Sequence, residues 1–295
     1  MHPLLIDATT CQQLLASGQP VRVFDCSFEL MNPPEGRRQY LQDGHLPNAT
    51  YASVDDDLAA HGGRMADGTA ASAGRHPLPT REAFAQWLGQ QGVTPQTQVV
   101  VYDRQGSMYA GRLWWMLKWC GHEAVALLDG GLQAWQAAGG PLTTEPPPTP
   151  LPQAPYPLAT PRVRAVGTAE LAAAQNQPTP NGPVVLDARG APRYRGEVEP
   201  LDPVAGHIPG ALNRPFTDNT GPDGRLKPSA LLREEFLGVL NGVPPERVVH
   251  QCGSGVSAVL NLIAMEHAGL GRQALYPGSW SEWSRTPGLP VATGG

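Results

Sequence analysis

Residues 252–257 read Cys252-Gly253-Ser254-Gly255-Val256-Ser257. A single thiol placed between a β-branched run and two glycines has the makings of a nucleophile that works through a covalent intermediate. The preceding run, Arg247-Val248-Val249-His250-Gln251, reads as a buried strand, and a helix opens at Ala258. Two glycines let the backbone curl so that successive N–H groups point inward. The helix adds the positive end of its dipole. Such a ring stabilises an anion at its centre and should favour the thiolate of Cys252. The competing reading is a cysteine merely buried at a strand end. Glycines on both sides of Ser254 would be wasteful in a core, which argues against it.

The elements that must position this loop occur twice. The first half reads VRVFDCS (21–27), GHLPNA (44–49), VVVYD (99–103) and LLDGGLQAW (127–135). The second reads PVVLDAR (183–189), GHIPGA (206–211), RVVHQC (247–252) and LYPGSWSEW (275–283). Asp25 and Asp187 are 162 positions apart, as are His45 and His207; Asp103 and Cys252 differ by 149, Trp135 and Trp283 by 148. Spacing this regular marks one unit written twice. Short β-branched runs suit buried parallel strands, and helical stretches follow them, such as 108–121 and 258–269, the latter ending at the plausible C-cap Gly269. The alternation predicts an α/β fold of two tandem domains, each a mainly parallel sheet with helices on both faces. Ligands then bind beyond the carboxyl ends of the strands. The segment 141–161 holds nine prolines and reads as an extended connection. The expected boundaries are 1–142, a linker at 143–161, and 162–295. Residues shared by both halves read as architecture. The thiol, present in one half against Asp103 in the other, reads as chemistry.

Composition narrows the classes. The chain has 295 residues, enough for two domains, with 41% hydrophobic and 16% charged residues and a net charge of -5. A mildly acidic chain with few basic clusters is a poor nucleic-acid binder. The four cysteines, Cys11, Cys26, Cys120 and Cys252, form no CxxC pair, so neither a thiolate metal site nor a disulfide scaffold is expected. No cofactor is implied. The start, Met1-His2-Pro3-Leu4-Leu5-Ile6-Asp7, lacks the features of a secretory signal, and no apolar run would span a membrane. A soluble protein of a reducing cytoplasm is the expectation.

On the repeated GH[LI]P segments, on LDGGLQAW and YPGSWSEW, and above all on CGSGVS, the chain resembles the tandem-domain sulfurtransferases of the rhodanese and 3-mercaptopyruvate sulfurtransferase family. The resemblance covers nearly the whole chain. It implies a catalytic second domain and a first domain that has lost its cysteine, as Asp103 suggests. CGSGV is similar to the mercaptopyruvate branch, because the thiosulfate branch carries basic residues inside the loop. The implied reaction moves sulfur from 3-mercaptopyruvate to a thiol, a thioredoxin-like protein or cyanide through a persulfide on Cys252, with Gly253, Gly255, Val256 and Ser257 holding the anion. Thiosulfate is the alternative donor. The resemblance gives Arg193 the donor's anionic group and Ser254 a proton-relay role. Asp55 and His76 would complete that relay, with Asp56 or Asp57 as substitutes for Asp55. Where the mercaptopyruvate branch has a second arginine after Glu-Pro, this chain reads Glu199-Pro200-Leu201. Leucine cannot bind a carboxylate, and losing one charge-assisted contact weakens binding by roughly 1.5–3 kcal/mol.

The remaining residues read as structural. His45 and His207 should hold loops to carbonyls, and Asp25 and Asp187 should brace the loops after their strands. Trp114, Trp115 and Trp119 should pack in a core or interface, whereas Trp280 and Trp283 are placed to line the active-site mouth. A phosphatase of the Cys-x5-Arg kind is excluded because Ala258 stands where its arginine would be. A persulfide carrier without turnover remains the rival from a different class.

Overall fold

The computed structural model describes residues 1–60, 74–149, 151, 153–176, 179 and 181–295. They form two compact units. One comprises the described residues of Met1–His61, Pro79–Arg162 and Thr220–Leu226; the other comprises those of Gly62–Leu78, Val163–Asn219 and Lys227–Gly295.

In the first unit the elements run β1 (Leu5–Ile6), α1 (Ala8–Ala16), β2 (Val21–Asp25), α2 (Pro34–Gln42), β3 (Ala49–Tyr51), α3 (Arg81–Gln90), β4 (Gln98–Tyr102), α4 (Ala110–Trp119), β5 (Val125–Leu128) and α5 (Gly131–Ala137). The second continues with β6 (Arg164–Ala165), α6 (Thr168–Asn176), β7 (Val184–Asp187), α7 (Ala191–Tyr194), β8 (Leu212–Asn213), α8 (Ser229–Leu240), β9 (Val248–Gln251), α9 (Ala258–His267), β10 (Ala274–Leu275) and α10 (Ser279–Trp283). The sheet orders are β1-β5-β4-β2-β3 and β6-β10-β9-β7-β8, every pair parallel. The two units repeat one topology, as the α/β reading of the repeat requires.

Local chemistry explains the elements. β4 is Gln-Val-Val-Val-Tyr and buried along its whole length, as a strand covered on both faces must be. Helix α1 starts at Asp7, whose side chain accepts the Thr10 N–H, and α3 starts at Thr80, which accepts from Ala83. Helix α9 is preceded by a glycine-rich loop and followed by Gly269 at φ +69°. Each sheet has its own core: Val23, Val100, Ala126 and Trp135 in the first unit, Val185, Val249, Ile208 and Trp283 in the second.

The Pro-rich segment is tied to the first unit. Gln153 donates its N–H to Gly89 O, Tyr156 to Ala85 O and Ala159 to Cys120 O, while the Tyr156 hydroxyl meets His122 Nδ1 at 3.0 Å. The expected structural roles of the histidines and aspartates hold. His45 and His207 sit within 2.9 and 2.8 Å of the carbonyls of Leu46 and Tyr194 and stack on Tyr40 and Tyr194. Asp25 accepts the Ser27 N–H, and Asp187 that of Arg189. No described helix is long and apolar enough to cross a membrane.

Candidate active site

Cys252 follows β9, the central strand of its sheet, and is buried. Its N–H donates to Ser279 Oγ at 3.1 Å, and its carbonyl accepts from Trp280 N at 3.0 Å. The next carbonyl, Gly253 O, accepts from Ser281 N at 2.8 Å. The start of α10 thus fixes the start of the loop. Gly255 turns the chain at φ +73°, and a Cβ there would lie 2.3 Å from Pro277 O, so no other residue fits. Val256 and Ser257 then hand the chain to α9, with Val256 O accepting from Val259 N and Ser257 O from Leu260 N. Among the described residues, the N–H groups of Val256, Ser257 and Ala258 meet no acceptor. These are the orphan donors of a helix start, available to an anion on Cys252.

The structure brings several of the expected residues together. Ser254 Oγ lies 2.7 Å from His76 Nδ1, both groups being buried. His76 precedes residue 142 but belongs by its contacts to the second unit. The two guanidiniums of Arg193 and Arg75 overlook Gly253. A methyl group on that glycine would sit 3.5 Å from Arg193 Nη1 and 3.3 Å from Arg75 Nη2. Arg193 is held by Glu199, which accepts from Nε at 3.2 Å and Nη2 at 2.6 Å.

Asp55 lies in the first unit, where it lines a cavity of about 520 Å³ with Phe28, Arg37, Leu41 and Tyr51. Asp57 has structural duties there: it accepts from Ser53 N at 2.8 Å and Trp87 Nε1 at 3.0 Å, and burial pushes its carboxyl above the usual carboxylate range. The sequence stretch between Asp55 and His76 lies largely outside the described residues.

One expectation needs correction. Trp280 and Trp283 are buried, with Nε1 of each bonded to a carbonyl, of Val204 and Pro290 respectively. They are buried side chains of α10 itself, not a lining: Arg189 lies over the Trp280 ring at 4.6 Å and Trp283 meets Tyr276 edge-on. Trp114 and Trp115 are core, as expected. Sequence reasoning also missed Arg75 and Ser279. The repeat offered a signal for the latter, because Ser279 stands where the first half has Gly131. Both adopt a left-handed backbone, at φ +54° and +56°. A non-glycine residue there carries strain of about 1–2 kcal/mol, and Ser279 offsets it with a hydroxyl that accepts from Cys252 N and donates to Tyr276 O.

The other three cysteines are buried outside this loop. Burial raises the Cys11 thiol to about 12 and the Cys120 thiol to about 11, and it drives Cys26, which lies near Asp25 and Asp103, well above the usual range. They are inert apolar fillers.

The rhodanese-like domain family matches residues 7–138 and again 168–286. The chain belongs to the rhodanese-like family. It is 45% identical over 288 residues to a Pseudomonas aeruginosa protein named "Probable 3-mercaptopyruvate sulfurtransferase", covering 97% of each chain. It is 32% identical to the thiosulfate sulfurtransferase of Mus musculus, over 97% of this chain and 94% of that one. The solved structure of 3-mercaptopyruvate sulfurtransferase from Leishmania major superposes with a TM-score of 0.80 at 31% identity, covering 97% of this chain and 76% of that one.

Proposed function

We propose that the chain is a sulfurtransferase that takes sulfur from 3-mercaptopyruvate onto Cys252 and passes it to a thiol, a thioredoxin-like protein or cyanide. In the first half-reaction the Cys252 thiolate attacks the donor sulfur. The carbon–sulfur bond breaks, its electron pair becomes the enolate of pyruvate, and the donor's S–H proton ends on the enolate carbon. Charge balances with an ionised persulfide on Cys252. The acceptor then attacks the outer sulfur and returns the thiolate. The N–H groups of Val256, Ser257 and Ala258, which meet no acceptor among the described residues, stabilise the anion.

One observation carries the choice of donor: Ser254 Oγ and His76 Nδ1 are 2.7 Å apart beside the nucleophile. That pair can pass a proton from the donor's thiol to the enolate carbon. Thiosulfate has no proton to move, because sulfite leaves as the dianion. The absence of any basic residue between Cys252 and Ala258 points the same way. Leu201 favours the second reading, thiosulfate as donor. The family resemblance assigns Asp55 a third place in the relay. Four free cysteines suit a reducing cytoplasm.

Donor-dependent turnover tests this reading. Ser254→Ala should lower kcat for pyruvate release from 3-mercaptopyruvate by about 10–100-fold and leave thiocyanate formation from thiosulfate nearly unchanged. Equal losses with both donors would remove the proton-relay argument. Persulfide formation without any turnover on small thiols or cyanide would favour the carrier.

A further inference from the structure

We infer that Arg75 is the second guanidinium of the donor site, taking with Arg193 the carboxylate that Leu201 cannot bind; the inference rests on the 3-mercaptopyruvate reading above. Arg75 Nη1 lies 3.5 Å from the carbonyl of Leu201 and 3.0 Å from Asp202 Oδ1, and Nη2 lies 3.3 Å from Asp202 Oδ2. The Arg75 N–H is anchored on Ser281 Oγ at 3.0 Å. A guanidinium from a distant stretch of chain thus stands beside the backbone position where the resemblance expects an arginine side chain.

Arg75 Nη2, which also donates to Asp202 Oδ2 at 3.3 Å, faces the nucleophile's loop as well. Arg75 Nη2 and Arg193 Nη1 converge on the space above Gly253, at 3.3 and 3.5 Å from where a Cβ would be. Gly253 does not have a positive φ, so its backbone does not demand glycine. A Cβ there would meet both guanidiniums, Arg75 Nη2 the more tightly. Glu199 occupies Nε and Nη2 of Arg193, and among the described residues Nη1 meets no acceptor. Asp202, inaccessible to solvent, holds Arg75, Arg285 and more distantly Arg193 at 3.0, 2.9 and 3.5 Å. Among the described residues the ion-pair partners of Arg75, Arg189, Arg193 and Arg285 are Asp187, Glu199 and Asp202. The positive charge left over faces two anions once the donor is bound, the Cys252 thiolate and the donor's carboxylate.

The test is calorimetric titration of 3-mercaptopyruvate into the Cys252→Ser protein, which binds the donor without consuming it. Adding Arg75→Leu should weaken binding by about 10–100-fold, Arg75→Lys by less, and Arg75→Leu with Leu201→Arg should regain most of the loss. In the Cys252 enzyme, Arg75→Leu should raise the donor KM by the same factor, with kcat within about threefold and the KM of the thiol acceptor unchanged. Parent affinity in Arg75→Leu, or a loss shared equally by kcat and acceptor KM, would overturn the inference and leave Arg75 a support for Asp202. No binding by the Cys252→Ser parent, with no sulfur transfer by the wild type, would overturn the donor reading and this inference with it.

Discussion

Asp103 and Cys252 each follow the central strand of a five-stranded sheet, and the loops they begin show what one fold does with and without a resident anion. In the first unit Asp103 Oδ1 accepts the N–H groups of Gln105 and Ser107 at 2.9 and 2.7 Å, and Oδ2 accepts those of Tyr109 and Ala110 at 2.8 and 2.9 Å. The ring is closed by a carboxylate belonging to the chain itself. In the second unit the loop before the helix is one residue shorter, the residue at the start is a thiol, and the donors at the helix start meet no acceptor among the described residues. A carboxylate with two oxygens saturates the ring permanently, whereas one sulfur leaves room for a second. The first unit therefore shows the ring's donors satisfied by the chain's own oxygens, and the second keeps its helix-start donors, among the described residues, for an acceptor on the nucleophile.

Exchanging the two residues' fates gives the largest expected effects. Cys252→Ser should lower turnover by about 10⁴-fold or more while the melting temperature moves by a few degrees at most. Asp103→Ala should do the reverse, leaving four backbone donors, three of them in buried hydrogen bonds, without an acceptor at about 3–5 kcal/mol of stability. Urea unfolding and steady-state rates on both variants check the contrast. Next in size is Gly255→Ala, where φ +73° and the 2.3 Å approach of Pro277 O force the loop to shift. It should cost about 2–3 kcal/mol and at least a tenfold loss in kcat/KM.

The second members of the loop pairs sharpen the comparison. Ser279→Ala removes the hydroxyl that accepts from Cys252 N and should lower kcat/KM by about five- to tenfold. Gly131→Ser, its mirror in the first unit, should destabilise by about 2 kcal/mol and leave kinetics alone, because a Cβ there would meet Asp103 O at 2.4 Å and there is no thiol loop to anchor. The smallest effect is in pH. Burial lowers His250 to about 3 and raises Asp103 above the usual carboxylate range. Below the ordinary histidine value the unfolded chain binds the proton that folded His250 refuses, so stability is lost as pH falls from about 6.5 towards 3. Asp103 acts with the opposite sign, favouring the fold as acid protonates it. His250→Val, giving β9 the residue that β4 has at Val101, should flatten the acid limb of the urea midpoint between those pH values.

The repeat, the sheet class and the Cys252 loop were legible because each leaves a local mark: β-branched runs, fixed offsets, and glycines where the backbone must turn. Ser254, His76 and Arg193 were reached through the family resemblance. Arg75 was not, because its role depends on an ion pair to Asp202, 127 positions away, that no periodicity encodes. Trp280 and Trp283 misled because a tryptophan beside a glycine looks the same in sequence whether it faces a pocket or a core. Ser279 was legible only against Gly131, as a serine in a backbone position that its repeat partner fills with glycine.

The most direct test is the intact mass of the protein after brief mixing with 3-mercaptopyruvate or thiosulfate, with Cys252→Ser alongside. The expected result is one added sulfur atom on the wild type from 3-mercaptopyruvate and none on the variant. Sulfur retained by Cys252→Ser, or no adduct from either donor, would contradict the assignment of Cys252 as the sulfur carrier.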